Sequence, residues 1–507
     1  MTTLAELAGR SPDEVAVECG SVALTWAALD ERTARFANAL KALGACPGEH
    51  VAIQVSNRVE FIDAAIGSWR GGYIYTPLKT GWTTREIGFV IEEARTRVMV
   101  TDRDAGRQAG LDPRLVLVDV DSGYEPWLAA QDATPPDDSL CGWKLPFTSG
   151  TTGQPKGVVL TTSGQGTFSD SWRGLARYAE MLQLPGEGVH LFLARLFNGA
   201  PLTFGLGALA RGARLRILPA WDAQAALDAL CRDDVTSTIA VPTMFRQFLA
   251  LDRQSPGSGL RTILHGGEPC PPSVKHSMLD WFGPVLVEYY GFTEGGMTIT
   301  TSSEWLARPG TVGLPMAGLS VRILGPEGEV LPAGSVGAIA FVQQDGKRRF
   351  TYLNDSQKTE AAHHDDAFTV GDQGWLDDDG YLFVAGRSDD LILVAGVNVY
   401  PAEVEEALAH VSGIEDLGVV GVPDEIKGER VVLVVSLAPG ATEEAVRSCI
   451  EEAAAARLAP YKRPAETVVA SSIPRDETGK LLRSRLRGSL CPSLHLIDGT
   501  EGTPRGA

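Results

Sequence analysis

The sequence predicts an α/β chain: a large N-terminal domain of mostly parallel sheets flanked by helices, then a small α+β C-terminal domain. Three observations predict it. The chain has 507 residues, more than one compact core holds. Short apolar runs alternate with helix-spaced apolar residues through most of its length, the pattern of strands joined by covering helices. Near Gly386-Arg387-Ser388-Asp389-Asp390 the pattern changes, and a shorter unit of about a hundred residues follows. The expected divisions are 1–388, 389–490 and a frayed polar tail over 491–507.

The elements follow in order. Leu29, Phe36, Leu40 and Leu43 recur at helical spacing, and Thr25 stands where an N-cap would. Pro47 and Gly48 mark a turn, after which Val51 to Val55 reads as a buried strand. Phe61, Ala65 and Trp69 share one face of a second helix. Ile74 to Pro77, Val98 to Thr101, Arg214 to Leu218 and Ser237 to Val241 read as further strands. In the C-terminal part Leu391 to Val394 is apolar, and Pro401 opens a helix carrying Val404, Leu408 and Val411. Val419 to Val422 and Val431 to Leu437 read as strands, and Thr442 precedes a helix rich in Glu and Ala.

The formal net charge is −19, with acidic residues spread along the chain. A nucleic-acid surface needs a basic stripe, so this balance argues against one. An anionic ligand must instead find a local cluster of donors, because the global field repels it. The seven cysteines (Cys19, Cys46, Cys141, Cys231, Cys270, Cys449 and Cys491) show no CxxC or metal spacing. An odd, dispersed set points to reduced thiols and a cytoplasmic setting. Neither a signal peptide nor a membrane span is expected.

The segment Phe147-Thr148-Ser149-Gly150-Thr151-Thr152-Gly153-Gln154-Pro155-Lys156-Gly157 carries the most chemistry. Its glycines let a backbone approach a ligand closely, and its amides, hydroxyls and Lys156 can cradle phosphate oxygens. Apolar residues on both sides make it a loop between two strands. It is not a Walker loop, because Lys156 follows a proline and opens no helix. Taken alone, the segment is equally well a surface turn.

Further segments lie downstream: His265-Gly266-Gly267-Glu268-Pro269, Tyr289-Tyr290-Gly291-Phe292-Thr293-Glu294, Gly310-Thr311-Val312-Gly313-Leu314-Pro315, Thr369-Val370-Gly371-Asp372, Gly386-Arg387, and Pro474-Arg475-Asp476-Glu477-Thr478-Gly479-Lys480. Each alone has a plain reading as a polar turn or a solvated charge. In this order they resemble the adenylate-forming superfamily of acyl-CoA synthetases, luciferase and peptide-synthetase adenylation domains, over about Trp26 to Leu486. Val241-Pro242-Thr243-Met244-Phe245, Glu288 to Thr301 and Trp305-Leu306-Ala307-Arg308-Pro309-Gly310 are most similar to bacterial fatty-acid and bile-acid-type acyl-CoA ligases.

The resemblance implies an ATP-dependent, AMP-forming acid–thiol ligase that makes an acyl-adenylate and passes the acyl group to coenzyme A. It implies that Thr148, Ser149, Gly150, Thr151, Thr152, Gly153 and Lys156 hold phosphates. Gly267, Glu268 and Pro269 would lie beside adenine, with Tyr290 stacked on it next to Gly291. Thr293 would meet the α-phosphate and Glu294 a Mg²⁺ ion, since a carboxylate beside a polyphosphate is sensible only with a hard cation between them. Asp372 and Arg387 would meet ribose, and Lys480 would neutralise charge during adenylation. The C-terminal domain would be mobile about a hinge at Asp389 and present Ala395, Gly396 and Val397 as a thiol tunnel.

The acid pocket is expected around Phe197, Asn198, Pro201, Phe204, Met244, Gly266, Gly295 and Met297. Its small residues leave space, and no basic residue stands ready for a second carboxylate, so a bulky apolar acid is expected. Asn198 replaces the usual His of close relatives, Ala395 the first glycine of a common Gly-Gly pair, and Ser335 a frequent Glu. These departures keep open a chain that performs one half-reaction, for instance on an adenylate supplied by a partner enzyme. The same motifs would also serve an enzyme that loads a carrier protein, or a luciferase-like oxygenase. Homodimerisation is compatible with the sequence.

Overall fold

A computed structural model describes residues 2–102, 111–112, 114–149, 155–162, 164–343, 348–387, 390–394, 397–424, 426–476, 479 and 481–490, without the side chains of Ser149 and Gln343. The contacts divide the chain into two compact units. One comprises Met1–Ser320 and Phe341–Phe368, the other Val321–Ala340 and Thr369–Ala507. The expected hinge, Asp389, and the expected tail over 491–507 lie outside the described residues.

The first unit carries a nine-stranded sheet. From one edge its order is Leu314–Pro315, Met297–Thr301, Leu286–Gly291, Thr262–Gly266, Val235–Ala240, Val189–Phe192, Arg214–Ile217, Val15–Cys19 and Val22–Thr25. The interior pairs, from Leu286–Gly291 to Val15–Cys19, are parallel, and antiparallel pairs close both edges. Parallel neighbours need a crossover. Helices Gly199–Arg211, Ala223–Leu230, Pro242–Leu249 and Pro272–Phe282 follow successive strands. Every residue of Val189–Phe192 and Thr262–Gly266 is buried, which is why these strands read as unbroken apolar or neutral runs.

A second, all-parallel sheet runs Val116–Asp119, Thr96–Thr101, His50–Gln54, Ile74–Pro77 and Trp143–Lys144. The helix Trp26–Ala42 begins as expected, with the Thr25 hydroxyl accepting from the Ala28 amide. The helix Val59–Arg70 differs from its one-faced expectation, since all of its residues are buried. Asp63 within it is held by Arg32 at 2.6 Å, which lets a carboxylate occupy the buried face.

The loop carrying Lys156 joins two antiparallel strands, Phe147–Ser149 and Pro155–Leu160, as its apolar flanks predict. A third strand, Phe350–Tyr352, pairs with the far side of Pro155–Leu160, setting Tyr352 opposite Val158.

In the second unit one sheet runs Val397–Val399, Ile392–Val394, Gly428–Leu437 and Ile414–Asp424, with Glu466–Val469 added to Gly428–Leu437, and the antiparallel strands Ala367–Leu376 and Leu382–Arg387 belong to another sheet. Helices Pro401–Leu408 and Glu443–Arg457 supply Val404, Leu408, Val446 and Ile450 to a core with Ile392, Val419 and Leu433. The central hairpin is longer than its apolar runs suggest, because Asp424 accepts from the Ile426 and Lys427 amides and closes a tight turn at Gly428. Among the described residues no helix is long and apolar enough to cross a membrane.

Candidate active site

Pairing of Phe147–Ser149 with Pro155–Leu160 sets Thr148 opposite Lys156. The Thr148 hydroxyl is buried and has no hydrogen-bond partner among the described residues. A buried hydroxyl in that condition is a donor suited to a ligand oxygen. Gly150, Thr151, Thr152, Gly153 and Gln154 lie outside the described residues, as does the side chain of Ser149.

The Lys156 ammonium reaches Glu294, 138 positions later in the sequence, with Nζ 3.4 Å from Oε1. Glu294 is 4% exposed, in the turn after the strand Leu286–Gly291. A carboxylate taken out of water needs partners, and among the described residues Lys156 and Tyr352 serve it. The Tyr352 hydroxyl donates to Glu294 Oε1 at 2.8 Å and accepts from Lys156 Nζ at 3.0 Å. The same ammonium stands 4.1 Å from the centroid of the Tyr352 ring, in cation–π contact. Thr293, the neighbour of Glu294, is half-buried in the turn. The lysine expected at the phosphates and the carboxylate expected at the metal therefore share one hydrogen-bonded cluster. This arrangement suits a Mg²⁺ ion with a polyphosphate, the carboxylate meeting the cation and the ammonium the phosphate oxygens. No group of three or more His, Cys, Asp or Glu able to hold a metal occurs among the described residues. Mg²⁺ commonly takes only one or two carboxylates and leaves its other positions to phosphates and water.

Two parallel strands build the expected adenine side. Thr262–Gly266 leads into Gly267, whose φ of +84° suits glycine, and then into half-buried Glu268 and exposed Pro269. The Glu268 carboxylate accepts from the Thr243 amide at the start of the helix Pro242–Leu249. Gly266 lies against the next strand so closely that a Cβ there would sit 2.3 Å from the Tyr289 carbonyl oxygen. Half-buried Tyr290 precedes Gly291 and meets Phe292 edge to face at 5.8 Å. Behind them a buried ion pair joins Lys275 to Glu288 at 2.6 Å. Burial pushes the Glu288 carboxyl upward and Lys275 opposes it. His265 is fully buried and held neutral, because desolvation, with the Lys275 charge nearby, lowers its pKa well below the ordinary value.

The residues expected around the acid fall into three packing clusters. Phe204 and Met297 come together with Ala200, Tyr178 and Tyr289, the Phe204 and Tyr289 rings meeting edge to face at 5.1 Å. Phe197 packs in the neighbouring core, and Met244 packs against the core below the helix Pro242–Leu249. Asn198 is the N-cap of Gly199–Arg211 but makes no side-chain cap bond, Pro201 lies in that helix's first turn, and Gly295 adopts a φ of +106°. Lys144, which no motif singles out, donates to the Gly199 carbonyl at 2.6 Å and to the Thr203 hydroxyl. Burial lowers its pKa to about 8.

In the second unit Asp372 and Arg387 pair across adjacent antiparallel strands, with Arg387 Nε 3.2 Å from Asp372 Oδ1. Arg387 also donates to the Val370 carbonyl at 2.9 Å. Both residues expected at the ribose thus stand side by side. Val397 is exposed, whereas Ala395, Gly396, Asp389 and Lys480 lie outside the described residues.

Tyr352 is the member of the cluster that motif reading missed. It comes from Phe350–Tyr352, a short strand without glycine or charge. The alternation of buried Phe350, exposed Thr351 and buried Tyr352 is the only local signal.

Comparison with known proteins agrees with this geometry. Residues 4–344 match the family model described as AMP-binding enzyme, and residues 403–480 match that of the AMP-binding enzyme C-terminal domain. A feruloyl-CoA synthase from Amycolatopsis sp is 32% identical over 490 residues, covering 94% of this chain and 96% of that protein. The fatty acid–[acyl-carrier-protein] ligase ScoC of Streptomyces coeruleorubidus is 29% identical, over 95% and 94%. The solved o-succinylbenzoate CoA synthetase of Bacillus subtilis, in complex with its acyl-adenylate intermediate, superposes with a TM-score of 0.81 at 26% identity, over 96% of this chain and 97% of that one.

Proposed function

The chain belongs to the AMP-binding enzyme family, and from that premise we propose that it activates a bulky, apolar carboxylic acid as its acyl-adenylate and transfers the acyl group to coenzyme A. One observation carries the reading: Lys156 and Glu294, from motifs far apart in sequence, share one hydrogen-bonded cluster around the buried Glu294 carboxylate.

The first half-reaction joins a carboxylate oxygen to the α-phosphorus and releases pyrophosphate. Anions must approach each other, so charge neutralisation and in-line positioning dominate its barrier. Thr148, Ser149 and Lys156 bind the phosphates, with the glycines and threonines over 150–153. Thr293 meets the α-phosphate, and Lys480 places a positive charge between phosphate and carboxylate. Glu294 would hold Mg²⁺, which would offset further polyphosphate charge. Tyr290 stacks on adenine beside Gly267, Glu268, Pro269 and Gly291, while Asp372 and Arg387 take the ribose hydroxyls.

In the second half-reaction the coenzyme A sulfur attacks the acyl carbon and AMP leaves. One arrangement of residues serves both steps poorly. We therefore place a hinge at Asp389, which would exchange Lys480 for Ala395, Gly396 and Val397 at the site. The bulky apolar acid is supported by the aromatic and small residues around Phe204 and Met297. A cytoplasmic setting is supported by the described cysteines, all of which are unpaired.

The test is a panel of fatty, aromatic, polycyclic and short acids incubated with ATP and coenzyme A, with thioester read by mass spectrometry. Thioesters of bulky apolar acids are the expected result. Preference for acetate or an amino acid removes the substrate proposal. The likeness to ScoC favours a second acceptor, a carrier protein. Transfer of the acyl group to a phosphopantetheine-bearing carrier but not to free coenzyme A would establish it instead.

A further inference from the structure

We infer that Tyr352 is a positioning residue of the nucleotide site, holding the Glu294 carboxylate in the orientation that takes a divalent cation. The inference rests on the assignment of Glu294 to the cation. Three features of the structure carry it.

First, the Tyr352 hydroxyl uses both of its capacities inside the cluster. It donates to Glu294 Oε1 and accepts from Lys156 Nζ. A hydroxyl that donates to a carboxylate oxygen fixes that oxygen's direction, and a carboxylate has lone pairs left for a cation. Second, the ring is held by its surroundings. Its strand pairs with the one that carries Lys156, setting Tyr352 opposite Val158. Its amide donates to the Thr359 hydroxyl at 2.9 Å, and its ring meets Phe350 edge to face at 5.2 Å. Third, Glu294 itself lies in a turn next to Gly295, at a φ of +106° that confers no rigidity of its own. The fixed element is the tyrosine, and the carboxylate is oriented by it.

Lys156 then has two uses. Without nucleotide it balances the buried Glu294 charge through Tyr352. With a divalent cation held at Glu294, the Lys156 ammonium would be free to meet phosphate oxygens. Tyr352 would keep its bond to Glu294 in both states.

The test is ATP binding to the full chain by calorimetry, in Mg²⁺ and again in EDTA, for the natural protein and for Tyr352→Phe. Pyrophosphate exchange by the natural protein is measured alongside, so that failure of the general function shows separately. Tyr352→Phe keeps the ring and loses only the hydroxyl. The gain in ATP affinity on adding Mg²⁺ should shrink by about 10–100-fold, the range for groups that orient a metal ligand. Binding in EDTA should change by no more than about twofold. Glu294→Gln should abolish the gain, and adding Tyr352→Phe to it should change nothing more. Tyr352→His, which keeps an aromatic donor, should retain part of the gain and stands in if the phenylalanine variant fails to fold. An undiminished Mg²⁺ gain in Tyr352→Phe overturns the inference. Equal losses with and without the cation also overturn it, because they mark a purely structural role.

Discussion

Lys156 and Glu294 face each other at 3.4 Å, one on the strand after a glycine-rich loop, the other in the turn after a core strand of a different sheet. Neither could hold its place without the fold between them. Three strands, Phe147–Ser149, Pro155–Leu160 and Phe350–Tyr352, bring the first to the second. On the proposed reading, the pair would join a phosphate-binding charge to a cation-binding charge.

Removing that positive charge should act on the first half-reaction. Lys156→Ala is expected to lower acid-dependent pyrophosphate exchange by about 10²–10³, the usual cost of losing one preorganised charge-stabilising donor. Thioester formation from supplied acyl-adenylate should fall far less. Equal losses in both assays would show that Lys156 supports the fold rather than the phosphates.

The Lys275–Glu288 pair makes a separate prediction about stability. Both side chains are buried, and the Lys275 ammonium also stands 4.7 Å from the Trp305 ring. Lys275→Met leaves a carboxylate buried without its partner, which costs about 3–5 kcal/mol. Thermal unfolding should report that loss, and Lys275→Met combined with Glu288→Gln should recover most of it. Simple additivity of the two changes would show that they do not act as a pair.

Stability should also fall in mild acid. His190 is fully buried, with Nδ1 at 2.9 Å from the Ser237 hydroxyl, and desolvation lowers its pKa to about 4. The unfolded chain takes up a proton below about pH 6.5 that the folded chain refuses down to about pH 4. The stabilisation is therefore complete above pH 6.5 and is lost as the pH falls towards 4. The shift corresponds to about 2 kcal/mol lost between pH 7 and pH 5. Urea unfolding at those pH values should show a smaller loss in His190→Gln. An identical pH dependence in the variant would remove this histidine as its source.

Much of this architecture is legible in the residues. The runs at Ile74 to Pro77 and Ser237 to Ala240 are strands because burial on both faces demands unbroken apolar or neutral character, and Val241, also read into the second, instead caps the following helix. The Thr25 cap and the turn at Pro47-Gly48 are local chemistry, and local chemistry reads directly. The ordered motifs led to Lys156 and Glu294 for a different reason: backbone close to a ligand needs glycine, and glycine shows. Tyr352 did not show. Its contacts come from a strand 196 positions after Lys156, and its sequence surroundings are ordinary. Lys144 was equally silent, since its partners are a backbone carbonyl and a hydroxyl brought to it by the fold. The burial of every residue of Val59–Arg70 was hidden because its charged residues suggest a solvated face, whereas Asp63 is neutralised by Arg32 from another helix.

The most direct test separates the two half-reactions in the natural chain and in Lys480→Ala. Pyrophosphate exchange driven by an accepted acid reports the first, and thioester formed from purified acyl-adenylate and coenzyme A reports the second. Both activities are expected in the natural chain, with exchange lowered by about 10²–10³ in Lys480→Ala and thioester formation largely kept. An unchanged exchange rate in Lys480→Ala, or ATP cleaved to ADP rather than to AMP and pyrophosphate, would contradict the proposed adenylation chemistry.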